Sequence, residues 1–139
     1  MAERTVIELS MPCTAGFAMV ARLVSSGVAS RLSIPYDRVQ DCKLAVGEVC
    51  SAAIERAEST GQGGARIRLR CLAEDDNLTI EIEDNVPVHP PRGDNGLLAE
   101  TQEIRRKMLE ALVDHMEVVQ DPGSGTLVKM VIKHDVSGT

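Results

Sequence analysis

The sequence predicts an α+β domain: a two-layer sandwich with a mixed or antiparallel sheet and helices on one face. Three observations carry that prediction. Residues 66–72 and 78–84 alternate apolar and polar side chains on either side of a short acidic loop, as the arms of an antiparallel hairpin should. Residues 116–120 and 127–133 form a second strand pair around Asp121-Pro122-Gly123-Ser124-Gly125. Three longer stretches repeat their apolar residues every three or four positions, which is helical spacing. The element order is β-α-α-β-β-α-β-β.

Residues 5–9 have strand character and are closed by Ser10-Met11-Pro12. From Gly16 to about Ser30, Phe17, Val20, Ala21, Val24 and Val28 mark a first amphipathic helix, with Gly27 weakening its last turn. Ile34-Pro35-Tyr36-Asp37 reads as the entry to a second helix, because proline is tolerated in a first turn and Asp37 places negative charge at the positive end of the dipole. That helix is expected to run to about Ala57. Its stripe Val39, Cys42, Val46, Val49, Ala53 and Ala57 faces the core, and Glu48 points away in company with Asp41, Ala45 and Ala52.

After the Gly61-Gln62-Gly63-Gly64 turn comes the first hairpin, whose Arg66, Arg68 and Arg70 fall on one strand face. They read most simply as a solvent-facing row and alternatively as a patch for an acidic partner. Residues 85–96 hold three prolines and two glycines, so they form a long loop of the kind that often serves function in a small domain. A third helix from about Leu97 to His115 is marked by Ile104, Met108, Leu112 and Met116, with Leu109 and Val113 beside them.

The chain has 139 residues, 43% of them hydrophobic, enough for the core of a single domain spanning 1–139. Fifteen Lys+Arg face 21 Asp+Glu, and Phe17 and Tyr36 are the only aromatics, so a basic phosphate-binding surface and base-stacking rings are both missing. Nucleic acid is therefore not an expected partner. Neither a membrane span nor a signal-peptide core is visible, and a cytoplasmic protein is expected. Cys13, Cys42, Cys50 and Cys71 are scattered without a CxxC pair or a nearby histidine, which predicts reduced, buried thiols and no metal site.

Two carboxylates are candidates for chemistry. Glu48, on a helix face lined by alanines, could sit in a groove and act as a general base; the alternative is a solvated helix glutamate. Asp84, where a strand passes into the long loop, could reach a ligand over the sheet; the alternative is a turn aspartate. Gly93, Gly96, Gly123 and Gly125 match no P-loop, and His89, His115 and His134 are too dispersed for a nucleophilic triad.

The helix Lys43-Leu44-Ala45-Val46-Gly47-Glu48-Val49-Cys50-Ser51-Ala52-Ala53-Ile54-Glu55-Arg56-Ala57, followed by a hairpin ending in Ile82-Glu83-Asp84, resembles the anti-sigma-factor serine kinases of bacterial stress and sporulation control. These belong to the histidine-kinase/Hsp90-like ATPase superfamily. The resemblance implies that fold, and a regulatory protein that binds a sigma factor and phosphorylates a serine of an antagonist protein with ATP and Mg2+. It implies partner switching and a homodimer as well. By the same resemblance Glu48 is the catalytic glutamate and Asp84 accepts from adenine. Gly96 and Leu97 take the place of the lid's glycine-leucine pair after an insertion, and Gly125-Thr126 lies behind the nucleotide. Two positions depart from the pattern. Ala52 stands where an asparagine helps hold magnesium, and Val86 where a glycine is usual. Arg105-Arg106 falls where the lid glycine would be counted and reads either as a phosphate clamp or as an exposed helix face.

Overall fold

The computed structural model describes residues 4–61, 63–88 and 96–134. Along them run β1 (Thr5–Pro12), α1 (Phe17–Arg31), α2 (Tyr36–Thr60), β2 (Arg66–Ala73), β3 (Asn77–Asp84), α3 (Gly96–Leu112), β4 (His115–Asp121) and β5 (Gly125–Lys133). The five strands make one sheet in the order β1-β2-β3-β5-β4, and every neighbouring pair is antiparallel. The expected α+β architecture is present. Among the described residues no helix is long and apolar enough to cross a membrane.

Alternation sorts the sheet into two faces. Ile67, Leu69 and Cys71 of β2, Leu78, Ile80 and Ile82 of β3, and Val128, Met130 and Ile132 of β5 are buried on the helix side. The other side carries charge in cross-strand register: Glu8, Arg70, Glu81, Lys129 and Glu117 succeed one another across all five strands. Arg70 lies 3.0 Å from both Glu8 and Glu81, and Arg68 faces Glu83 at 3.8 Å. The arginine row is thus a solvent-facing ladder in which Arg68 and Arg70 pair with acids on adjacent strands and Arg66 donates to the Ser10 hydroxyl, at a surface where ion pairs add little.

The helix α2 buries its anticipated stripe, Val39, Cys42, Val46, Val49, Ala53 and Ala57. It also buries Ala45, Gly47, Cys50 and Ile54, so Ala45 does not share an open face with Glu48. The reason is α1, which brings buried Ala21, Ser25 and Ala29 to α2; small residues on both helices permit close approach, and Arg22 lies across Gly47. Ala57 was expected to close α2, yet the helix continues to Thr60, where Gly61 caps it in the left-handed conformation (φ 65°) and donates to the Ala57 carbonyl.

Two other boundaries move. The first strand continues through Pro12, which an edge strand tolerates because no further strand needs its missing N–H. The third helix stops at Leu112 instead of His115: Arg38 donates to the Leu112 carbonyl, and the Asp114 carboxylate takes both Arg38 and the backbone N–H of Lys133. Leu109 of α3 and Val113 just past its end are buried, while Ile104 and Met108 are exposed, contrary to the stripe read from spacing. Most of the long loop, including His89 and Gly93, lies outside the described residues.

Candidate functional site

A groove of about 830 Å³ runs between α2 and α3 across the helix side of the sheet. Its apolar wall includes Val88, Leu109, Met116, Val118 and Val128, and its polar wall includes Glu55, Arg56, Arg105 and Arg106. Ala52 lines the groove as well. On α2 the residues Glu48, Ala52 and Arg56 follow one another at spacings of four, so they occupy successive turns of one helix side.

Asp84 ends β3 with its side chain turned to the helix layer, where it is 5% exposed. Arg56 donates from Nη2 to its Oδ2, and the Val86 backbone N–H donates to Oδ1 at 3.0 Å. Both carboxylate oxygens are therefore committed within the chain. Across the strand pair Asp84 faces Thr126, and Gly125 packs so tightly that a Cβ there would lie 2.0 Å from the Asp84 carbonyl oxygen. Gly125 has φ 133°, so glycine is required both for its conformation and for that approach. Thr126 Oγ1 and Arg56 Nε are buried and have no hydrogen-bond partner among the described residues.

Glu48 is half-buried and lies 3.3 Å from Arg105 Nε. Arg105 also donates through Nη1 and Nη2 to the two oxygens of Glu55, at 3.1 and 3.3 Å. Glu48 and Glu55 stand seven residues apart, two turns along α2, which lets one guanidinium from α3 span both. The hydrogen bond with Glu55 is the main cause that holds the Arg105 guanidinium above its ordinary value, against the lowering by burial and with Glu48 adding to it. Arg106 instead pairs with Glu110 on its own helix at 3.1 Å.

The structure thus brings Asp84, Gly125 and Thr126 together and joins Glu48 to α3 through Arg105. Arg56 and Arg105 form part of the groove wall, while Asp84 and Glu48 do not line it. Gly96 and Leu97 open α3; beyond that placement they lie outside the described residues. Sequence reasoning overlooked Glu55 and Arg56 altogether and gave Arg105 no acidic partner. The available signal was the Glu48, Glu55 pair on one helix side.

Magnesium and ATP, which the resemblance implies, meet a poor fit. Ala52 brings only a methyl group to the position where an oxygen ligand would be needed, and Glu48 already faces a guanidinium. Among the described residues no group of three or more His, Cys, Asp or Glu is placed to hold a metal ion. Each Asp84 oxygen already accepts one donor from the chain, and Val86 is wholly buried where open backbone would be required.

Comparison with known proteins agrees with the architecture. The chain is 25% identical over 147 aligned positions to a serine-protein kinase RsbW of Bacillus cereus (strain B4264), covering 93% of this chain and 86% of that one. It is 28% identical over 127 positions to the serine-protein kinase RsbW of Bacillus licheniformis, covering 84% and 79%. It is 33% identical over 78 positions to that of Bacillus subtilis (strain 168), covering 56% and 48%. The sequence model of the histidine kinase-like ATPase domain matches residues 15–132, and the chain belongs to that family.

Proposed function

We propose that this chain is an anti-sigma regulatory protein that works by binding: as one domain it holds a sigma factor and exchanges it for an antagonist protein, without needing ATP. The partner classes rest on its likeness to serine-protein kinases named RsbW over most of its length. The observation that carries the nucleotide-free half is that both candidate carboxylates are taken by arginines of the same chain, Asp84 by Arg56 and Glu48 by Arg105. A general base must be free to receive a proton from its substrate, and Glu48 bound to a guanidinium is poorly set for that. Function follows the site and not the fold alone.

One observation favours a second reading, an ATP-dependent serine kinase. The Thr126 hydroxyl is buried beside Asp84 without a partner, in a fold with a groove large enough for a nucleotide. In that reading Arg56 and Arg105 swing aside when ATP and Mg2+ enter. Affinity purification of the chain from its native host, with and without depletion of ATP, tests the proposal. Recovery of a sigma factor or an antagonist in equal amounts under both conditions is the expected result. Recovery of neither, or recovery only with ATP, contradicts it.

A further inference from the structure

We infer that Arg105 is a latch that holds residues 100–107 of α3 against α2. From Glu100 to Met108 every residue is exposed except Arg105. Ile104 is 68% exposed, and the buried anchors Leu109 and Val113 come only after this stretch. Residues 100–108 therefore bury no apolar side chain, and Arg105 gives this stretch a part-buried attachment, a guanidinium spanning Glu48 and Glu55 of α2. That stretch supplies the Thr101, Gln102, Glu103, Arg105 and Arg106 side of the groove. With the latch shut this stretch forms one wall of the groove; opening it frees Glu48 and Glu55 and widens the groove.

A guanidinium suits this duty. It stays charged at any physiological pH, and its fork can satisfy two carboxylates at once, which an ammonium group cannot do with the same geometry. Because the side chains concerned are between a quarter and two thirds exposed, the latch is weak enough to open and sensitive to salt. The neighbouring Arg106 supplies an internal control, since its partner Glu110 lies four residues on in the same helix and ties α3 to nothing else.

The inference deepens the nucleotide-free reading and rests on it, and amide hydrogen exchange of the full chain separates the two. Arg105→Gln is expected to speed exchange in residues 100–107 roughly tenfold while the amides of β2 and β3 stay unchanged. The Glu48→Gln, Glu55→Gln double variant should do the same, and Arg106→Gln should not. Magnesium-ATP at millimolar concentration should leave exchange of the wild-type α3 where it was. No acceleration in either latch variant, or equal acceleration in Arg106→Gln, overturns the latch while leaving the partner-binding proposal standing. Protection of wild-type α3 by magnesium-ATP overturns both.

Discussion

Arg56, one turn from the C-terminal end of α2, donates to Asp84 at the end of β3, and the second oxygen of that aspartate accepts the backbone N–H of Val86. This clasp joins helix layer to sheet at the mouth of the groove. The aspartate is 5% exposed and the arginine 27%, so the two ends are not equally dependent on one another. Removing Arg56 strands a carboxylate in the interior. Removing the charge of Asp84 leaves a guanidinium that can turn into the groove.

The asymmetry gives a direct expectation. Arg56→Ala should cost about 2–4 kcal/mol of stability, near the range for breaking a mostly buried ion pair. Asp84→Asn should cost less, about 1–2 kcal/mol, because the amide keeps its acceptor oxygen for one of the two donors. Urea unfolding of the two variants checks this; equal losses would show that the buried carboxylate does not govern the pair.

The glycines of the site and of α2 should respond in opposite ways. Gly125→Ala places a Cβ 2.0 Å from the Asp84 carbonyl oxygen at a positive φ, so loss of several kcal/mol or failure to fold is expected. At Gly47 the nearest obstacle is the Arg22 side chain, at 2.8 Å, which can shift. The gain in helix propensity of about 1 kcal/mol should offset that shift, leaving Gly47→Ala close to neutral. Thermal melting of both variants decides.

The four cysteines are free and buried. Burial pushes the Cys42 and Cys50 thiols up to about 12 and those of Cys13 and Cys71 to about 11, from an ordinary 9.0. Thiolate is the reactive form, so at pH 8 a thiol-specific disulfide reagent should titrate four groups only after denaturation. The sign for stability follows from which state keeps its protons. Above pH 9 the unfolded chain loses thiol protons that the folded chain retains, so the thiol contribution is full below 9 and falls as pH rises toward 11–12. Each thiol then adds a slope of about 1.4 kcal/mol per pH unit within its window. Replacing Cys42 by Ser or Ala should flatten the alkaline limb of the stability curve.

Much of the fold was legible because its signals are local. The α2 stripe announces itself through spacing, the 66–84 hairpin through alternation, and the buried thiols through the lack of any metal-ligand pattern. What failed locally was α3, where two apolar rows, Ile104 with Met108 and Leu109 with Val113, offer the same periodicity and only the position of the sheet chooses between them. The helix end at Leu112 was likewise invisible, since Arg38 reaches it from 74 residues away. At the candidate site Glu48 and Asp84 were named from their places in the pattern and Thr126 from the family resemblance. Their restraint by Arg56 and Arg105 was not, because an ion pair across 28 residues, or between two helices, leaves no periodic trace.

The most direct test of the account is calorimetric titration of the purified chain with ATP and Mg2+ at millimolar nucleotide. With Arg56 on Asp84, Arg105 on Glu48 and a methyl group at Ala52, no binding isotherm is expected. A saturable isotherm that is lost on chelating the magnesium would contradict the account and return the chain to the working kinases of its family.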